Sequence, residues 1–342
     1  LKFNHPKEFF LSLLKMSRFE PNSHEEIAKI SQELSFFGIK LLPPDLNLSD
    51  FDFKIEDKNI RYGLNSIKGV SGKAIESLIE FRENKFENKY DIFIAAKDCG
   101  VNIGTMSAFI QAGLLDSFVK TDRCRLVLEA QTFNVLTDRE KRNVIEMGPR
   151  FDYDILNTIH HCRKESCPAD DGRILFPDKR FNTFKKRYDP YKAIYNQNSS
   201  HIKYANWFFE TKLLGYSYSY NIREIFSSGD APSFKTSEEV KNARERTRIK
   251  FVGDVFDITK RTSRNGNKYA RIELQDELGS VCGLFLDSDR EERLTEYLNS
   301  GKKLPKKGEV AIIIGTVGED IIFVDKIETI QEKIYMKLSE LK

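Results

Sequence analysis

Hydrophobic and polar positions alternate along the last third of the chain in a pattern that predicts five β-strands and one helix. Asn265-Gly266 follows the first strand, where a tight hairpin turn needs residues that tolerate positive φ. The helix is predicted over residues 289–298, between the third strand and the fourth. A five-stranded barrel with a helix at this place has the oligonucleotide-binding (OB) architecture. The predicted strands cover residues 249–259, 269–275, 281–286, 310–316 and 321–324.

Apolar residues recur at helical spacing before the barrel, and glycine turns precede two of the predicted helices. The first turn precedes a helix over 73–82, and the second, at 101–104, precedes a helix over 105–111. Such a turn exposes backbone N–H groups at a helix N-terminus, where a phosphate can bind. One isolated hairpin would favour an ordinary packing corner, whereas two in tandem beside a basic barrel favour binding of duplex DNA. The predicted duplex-binding residues are Lys68, Gly69, Val70, Ser71, Gly72 and Lys73.

The bulk composition is that of a globular protein with several domains. A length of 342 residues is typical of two or three domains, and 40% apolar residues are enough for packed cores. No run approaches the roughly 20 apolar residues of a membrane-spanning helix, so no membrane partner is expected. The first residues resemble neither a signal peptide nor a methionine start, which is typical of an internal fragment. Small polar residues make 227–237 the clearest linker.

Positive charge is concentrated on the first hairpin of the predicted barrel. Residues 245–271 hold eight cations and three acids, whereas the whole chain has a net charge of only +3. Such a cluster suits a phosphate backbone, with a solvated hairpin on a protein-binding barrel as the alternative. Tyr269 is expected to face solvent with Arg271, whereas Phe285 belongs either to the binding face or to the core. The predicted residues for single-stranded DNA are Arg261, Arg264, Lys268, Tyr269, Arg271 and Phe285.

Five cysteines, odd in number and irregularly spaced, are typical of a reducing compartment rather than of a disulfide framework. One compact cluster combines cysteine with histidine. A structural zinc site usually draws on two separated ligand pairs, so this cluster favours no metal, with a zinc site as the alternative. The four side chains are His160, His161, Cys162 and Cys167.

Two charged stretches in the middle of the chain have more than one interpretation. Residues 179–192 interleave six cations with four aromatic residues. This pattern is typical of single-strand binding by phosphate contact and stacking, or of a solvated loop anchored by its rings. Asp152 and Asp154 resemble a metal-binding acidic pair, but they lack a third acid and a flanking strand pattern, so no catalytic role is predicted for them.

Several segments in succession resemble one protein family. The chain begins LKFNHPKEFFLSLL, continues with FFGIKLLPPDLNLSDFDF, RYGLNSIKGVSGKAIESLIEFR and FIQAGLLDSF, and reaches IKFVGDVFDITKRTSRNGNKYARIELQD at the barrel. In this order they resemble the C-terminal part of bacterial-type DNA polymerase III alpha subunits, the C-family replicative DNA polymerases, including those of phages. The resemblance is weakest over residues 140–205. The family's hairpin usually reads Gly-Val-Gly, whereas here Ser71 separates Val70 from Gly72.

The resemblance implies a multidomain α+β protein, mainly helical at first with tandem helix-hairpin-helix motifs, that ends in a five-stranded OB-fold β-barrel. It implies the DNA-binding portion of a DNA-directed DNA polymerase, a nucleotidyltransferase of DNA replication, which grips primer–template duplex through the hairpin turns and single-stranded template through the barrel. The alternative is a free-standing DNA-binding accessory protein without polymerase activity. The implied domains are the end of the fingers (1–50), the tandem hairpin region (51–122), a connecting region (123–226), a linker (227–245), the OB domain (246–330) and a tail (331–342).

Family members hold two Mg²⁺ ions through palm carboxylates that would lie upstream of this segment, so neither a catalytic residue nor a bound cofactor is expected within it. The expected partners are primer–template DNA, single-stranded DNA, the palm-containing catalytic part and the sliding clamp. The expected location is the cytoplasm of a bacterium or of a phage-infected host. Members carry a clamp-binding peptide after the hairpins. Its candidate residues here are Ile174, Leu175 and Phe176, with a loop anchored in the local core as the alternative.

Overall fold

The computed structural model of the protein describes residues 1–70, 72–164, 177–227, 234–288 and 291–329, apart from the side chains of 72, 79, 161–164 and 178. The chain forms two compact units that divide between Tyr218 and Ser219. Within the described ranges, no helix is both long and apolar enough to cross a membrane.

The first unit is mainly helical. Its helices are α1 (Pro6–Ser17), α2 (Ser23–Phe36), α3 (Gly72–Arg82), α4 (Lys89–Asp98), α5 (Ile103–Gln111), α6 (Arg123–Val135), α7 (Asp138–Met147), α8 (Ile155–Lys164), α9 (Asp178–Ser199) and α10 (Ile202–Leu214). Asn88 and Thr137 start α4 and α7 with capping boxes, in which each side chain and an acid three residues later bond reciprocally to the backbone. Helix α6 is buried along almost its whole length, and its Glu129 is paired with Lys89 at 2.7 Å and with Arg125 at 3.1 Å.

Helix α9 packs one face against the core of the first unit. Its aromatic side chains that contact this core are Phe181, Phe184, Tyr188 and Tyr191. Pro190 lies inside the helix and removes the N–H that would bond to the carbonyl of Lys186. Both residues are exposed, so water can bond to that carbonyl instead. The stretch 179–192 is therefore a helix rather than a loop, and its rings are used in packing rather than presented for base stacking.

A small sheet lies beside α1 and leads the chain into the first hairpin. Its strands are β1 (Leu41–Leu42), β2 (Lys54–Glu56) and β3 (Asn59–Arg61), in the order β1-β3-β2. Strand β3 pairs in parallel with β1 and antiparallel with β2. The residue after β3 is Tyr62, which is fully buried against Phe53 with ring centroids 4.9 Å apart. This packing fixes the start of the hairpin segment.

The second unit is built on five strands that close into a barrel in the order β4-β5-β6-β8-β7. The elements are α11 (Ile222–Phe226), α12 (Ser237–Lys241), β4 (Arg248–Thr262), β5 (Lys268–Gln275), β6 (Ser280–Leu286), α13 (Arg293–Asn299), β7 (Val310–Val317) and β8 (Ile322–Thr329). Ala270, Ile272 and Leu274 of β5 face inward and are fully buried, whereas the residues between them face outward. The barrel core therefore excludes every second residue of this strand, as the alternation predicts.

This organisation confirms the predicted fold class, with a helical first part that contains the hairpins and a closed five-stranded barrel at the end. The predicted helix at 289–298 corresponds to α13, although residues 289–290 lie outside the described part. The stretch 227–245, predicted as a linker, includes α12, and its residues 228–233 are outside the described part. The predicted tail also lies outside it.

Candidate nucleic-acid interface

The first hairpin turn projects two lysines from the first unit. Lys68 precedes Gly69, Lys73 is the second residue of α3, and both lysine side chains are exposed. Gly69 has a φ of +81°, a left-handed conformation that residues with a side chain rarely adopt. Gly72 is the first residue of α3, and Ser71 lies outside the described residues. The cations thus flank a tight turn at a helix N-terminus, as predicted from the sequence.

Two backbone amides of this turn already have acceptors within the protein. The Lys68 amide donates to the Leu213 carbonyl at 2.9 Å, and the Val70 amide donates to the Ile67 carbonyl at 3.2 Å. Any phosphate at this turn therefore depends on the two lysine side chains and on the start of α3. The first backbone N–H groups of a helix have no intrahelical acceptor and carry partial positive charge, so they suit an anion.

The C-terminal end of α10 supports the first hairpin turn through hydrogen bonds and close packing. The hydroxyl of Tyr62 lies 2.9 Å from the Leu214 carbonyl and 3.0 Å from the Ser66 carbonyl, which joins α10 to the chain that enters the turn. Gly215 has a φ of +87°, and a Cβ at that position would lie 2.4 Å from the carbonyl oxygen of His24. A side chain at residue 215 would therefore displace α2, and with it the support of the turn.

The second hairpin turn, at 101–104, differs in its electrostatics. The side-chain oxygen of Asn102 accepts a hydrogen bond from the Thr105 amide at 2.9 Å, so this N-terminus of α5 is capped by its own chain. The neighbouring cation Lys97 is paired with Asp138 at 2.9 Å. The N-terminus of α5 and Lys97 thus have partners within the protein. The other cation beside this turn, Lys141, is half-buried with its ammonium 5.3 Å from the centre of the Phe133 ring, so the first turn is the better anion site.

The outer face of the barrel holds the five predicted polar and aromatic residues of its first hairpin. Arg261, Arg264, Lys268 and Arg271 are exposed, and Tyr269 is half-buried. Tyr269 lies opposite Arg261 in the register of β4 and β5. Tyr269 and Arg271 alternate with buried residues of β5, so both face outward, as predicted. This face can present four cationic side chains, of which Arg271 is paired with Glu273, and one ring to the same ligand.

Two neighbours orient the guanidinium group of Arg271 over the sheet. Its Nη2 lies 2.9 Å from a carboxylate oxygen of Glu273, and its Nε donates to the sulfur of Cys282 at 3.2 Å. The side chain is still 57% exposed. Beyond these residues the face continues into a cleft of about 260 Å³ between α12 and the turn that joins β7 to β8.

Phe285 does not belong to this face. It is 2% exposed and packs in the barrel core, with its ring centroid 5.4 Å from that of Tyr297 in an edge-to-face contact. Residues 281, 283 and 285 of β6 are buried, whereas Leu284 and Leu286 are half-buried on the outside. Of the two alternatives for Phe285, the core position is therefore the observed one, and its ring cannot reach a base.

Phe323 on β8 is an outward-facing ring that the sequence did not reveal. It is 42% exposed and lies opposite Leu284 in the register of β6 and β8. Its ring covers Gly318, where a Cβ would lie 2.6 Å from the ring. Leu286 of β6 lies opposite Tyr269, so β6 runs between Tyr269 and Phe323. With ~4.8 Å between strands and ~3.3 Å per residue, the backbone positions of these two residues are about 12 Å apart. The run Ile322-Phe323-Val324 is apolar throughout, so it gave no signal of which side chain faces outward.

Of the acidic pair Asp152 and Asp154, the second residue has a structural role. Asp152 has a φ of +51° in the turn before α8. One carboxylate oxygen of Asp154 accepts from the amides of Leu156 and Asn157, both at 2.9 Å, and thus caps α8. Arg125 contacts both oxygens of that carboxylate at 2.8 and 2.9 Å. These contacts engage both oxygens of the Asp154 carboxylate within the protein.

Two predicted sites fall wholly or partly outside the described part of the chain. A group of three or more His, Cys, Asp or Glu side chains able to hold a metal does not occur among the described residues. The clamp-binding candidates Ile174, Leu175 and Phe176 lie outside the described part of the chain. Of the four possible zinc ligands, Cys167 and the side chains of His161 and Cys162 also lie outside it.

Known proteins with similar sequences match most of this chain. A family profile described as a helix-hairpin-helix motif matches residues 38–126. The DNA polymerase III subunit alpha of Thermus aquaticus is 25% identical over 285 residues, which cover 82% of this chain and 20% of that protein. The same subunit of Borreliella burgdorferi is 23% identical over 351 residues, which cover 100% of this chain and 27% of that protein. These matches confirm the predicted resemblance, and the chain spans 20–27% of the length of these two relatives.

Proposed function

We propose that this chain is the DNA-binding C-terminal portion of a replicative DNA polymerase. In this proposal the hairpin turn of the first unit grips duplex DNA, and the outer face of the barrel holds single-stranded template. The observation that carries the proposal is the barrel face, where Arg271 lies two residues along β5 from the outward ring of Tyr269 and in the same cross-strand row as the outward ring of Phe323. The similarity to DNA polymerase III alpha subunits supports the same function.

The chemistry of the two surfaces suits two forms of DNA. Lys68 and Lys73 offer charge beside a helix N-terminus, which matches phosphates whose bases are paired and stacked inside a duplex. The barrel face adds rings to its cations, and rings are useful only where bases are unstacked and accessible. A primer–template junction presents both forms within a few nucleotides.

The chemical step of polymerisation belongs, in this proposal, to a palm-containing part with which the chain acts. That step needs carboxylates that hold two Mg²⁺ ions for in-line transfer, and Asp154 is committed to Arg125 and to α8. The chain alone should therefore bind primer–template DNA without extending it. The alternative, a free-standing accessory protein, is favoured if a separate catalytic chain restores extension when it is added.

A sliding clamp is a further proposed partner, through Ile174, Leu175 and Phe176. This proposal comes from the resemblance, because relatives carry a clamp-binding peptide that ends in Leu-Phe at the corresponding place. It adds tethering to the grip on DNA and does not depend on the barrel.

The proposed duplex grip is tested by Lys68→Ala plus Lys73→Ala in the full chain, with a labelled duplex and fluorescence anisotropy at several salt concentrations. We expect weaker binding and a shallower dependence of log affinity on log salt, by roughly 0.9 for each phosphate that is no longer neutralised. The matched control is Lys15→Ala plus Lys58→Ala, which removes the same charge from exposed positions elsewhere in the first unit. An unchanged slope in the turn variant, or an equal change in the control, would show that the turn is only a packing corner.

A further inference from the structure

Helix α9 presents a row of lysines on the face opposite its packed side. Phe184 is buried and faces the core of the first unit, whereas the four lysines of α9 are exposed. At about 100° of rotation per residue, these lysines lie within an arc of about 140° around the helix axis, and from first to last they span about 20 Å along it. The lysine row consists of Lys179, Lys185, Lys186 and Lys192.

Few carboxylates lie close enough to neutralise the lysine row, and one of them is already paired with another cation. Glu140 accepts two hydrogen bonds from Arg180, at 2.6 and 2.7 Å, so this arginine and this acid neutralise each other. In the part of the chain that the structure describes, no ion pair joins an acid to any member of the lysine row. Asp189, which is exposed, is the one acid whose described side chain shares the arc. The row therefore keeps most of its positive charge.

The composition of this face identifies the chemistry of its ligand. Lysine is depleted from the centres of protein–protein interfaces, which rely on aromatic and apolar anchors, and the rings of α9 are turned inward. Single-stranded nucleic acid also needs exposed rings for stacking. The one ring in contact with the row is Tyr188, which is half-buried and has the ammonium of Lys192 5.7 Å from its centre, so it is not free to stack on a base. A line of exposed lysines without fully exposed rings instead matches the phosphates of a duplex, where charge provides sequence-independent affinity.

We propose that the lysine row of α9 is a second contact to duplex DNA, separate from the hairpin turn and running along the sugar-phosphate backbone. A span of about 20 Å corresponds to roughly six base pairs at ~3.4 Å each. This inference rests on the proposed function, because it assigns a second surface to the same duplex. It concerns a region where the sequence resembles the polymerase family least.

The test uses the full chain and a labelled blunt duplex of about 30 base pairs, with anisotropy measured over a series of salt concentrations. The variant Lys185→Ala, Lys186→Ala, Lys192→Ala should bind more weakly, and its salt slope should fall by up to about 2.7 if the three lysines each neutralise one phosphate. Asp189→Asn should change both quantities in the opposite direction, because it removes the negative charge from the row. Exposed lysines elsewhere in the first unit provide the matched control, Lys15→Ala, Lys40→Ala, Lys58→Ala.

A slope equal to that of the wild type, or a reduction equal to that of the control, overturns the proposal. Loss of binding to polyglutamate without loss of binding to duplex also overturns it, since the ligand would then be an acidic protein. The Lys68→Ala plus Lys73→Ala variant, measured in parallel, distinguishes the two proposals. If only the α9 substitutions change the salt slope, the proposed hairpin grip is wrong and the proposed contact of the lysine row is supported. If the wild-type chain does not bind duplex DNA at all, both the hairpin grip and the lysine-row contact are wrong.

Discussion

His24 connects the three segments that hold the first hairpin turn. Its Nε2 lies 3.0 Å from the Leu213 carbonyl, and this acceptor requires that Nε2 carry the hydrogen of the neutral ring. Burial lowers the pKa of His24, the hydrogen bond to Leu213 partly offsets this effect, and the positive charge of Lys68 lowers the pKa further. The contacts around His24 therefore favour its neutral form beside Lys68, one of the two lysines of the proposed duplex grip.

The lowered pKa of His24 predicts acid sensitivity of the first unit. The unfolded chain binds a proton at this residue more readily than the folded chain, so stability is lost as pH falls through the unfolded value near 6.5. We expect His24 to reduce the free energy of unfolding by up to about 1.4 kcal/mol per pH unit below that value. His24→Gln keeps an N–H donor and should lack this contribution.

Urea unfolding at pH 5.5 and 7.5 measures this effect, with the fluorescence of Trp207 as the signal. Trp207 is the single tryptophan of the chain and is buried in α10, so it reports on the first unit. The other histidines are the same in wild type and variant and cancel in the comparison. Parallel pH dependence in the two proteins would mean that the folded environment does not shift the titration of His24.

Strands β6 and β8 divide their two phenylalanines between opposite sides of the barrel wall. Phe285 points into the core and is 2% exposed, whereas Phe323 points outward and is 42% exposed. The same substitution at the two positions should therefore affect different properties. One ring stabilises the barrel, and the other is available to a ligand.

Phe323→Ala should weaken binding of a short single-stranded oligonucleotide by about 1–3 kcal/mol if its ring stacks on one base, with little change in stability. Phe285→Ala is the matched control and should destabilise the barrel by about 3–5 kcal/mol through the cavity that it leaves. Anisotropy with the oligonucleotide and calorimetric unfolding distinguish the two effects. Full affinity in Phe323→Ala would exclude the ring from the binding face.

Some strands and helices could be predicted from the sequence because they depend on local patterns of residues. The alternation in β5 places Tyr269 and Arg271 outside, and the closed barrel follows from short strands at regular spacing. Helix α9 was not predicted, because the mixture of cations and rings in 179–192 was interpreted as a single-strand-binding segment or a solvated loop. Its aromatic residues nevertheless recur at intervals of three and four, which is helical spacing.

Other features depend on contacts between segments far apart in the sequence. The amide of Lys68 is occupied by the carbonyl of Leu213, and no local pattern could indicate this bond. The outward position of Phe323 depends on the register between β6 and β8 and on Gly318 beneath its ring. The capping of the second hairpin by Asn102 was, in contrast, readable from its own sequence.

The chain as a whole carries three proposed DNA surfaces, the hairpin turn and the lysine row of α9 in the first unit and the outer face of the barrel in the second. The first unit offers exposed lysines without rings, and the second offers cations interleaved with rings. Because the two chemistries differ, each surface should distinguish duplex from single-stranded DNA by itself. This division of labour would let one polypeptide follow a primer–template junction.

The decisive measurement compares two variants of the full chain on two ligands, a blunt duplex and an oligo(dT) of equal length, by fluorescence anisotropy under one salt condition. Lys68→Ala plus Lys73→Ala should weaken duplex binding and leave oligo(dT) binding unchanged. Arg264→Ala plus Tyr269→Ala should weaken oligo(dT) binding and leave duplex binding unchanged. If each pair of substitutions weakens both ligands equally, or if neither has an effect, the assignment of separate surfaces to the two forms of DNA is wrong.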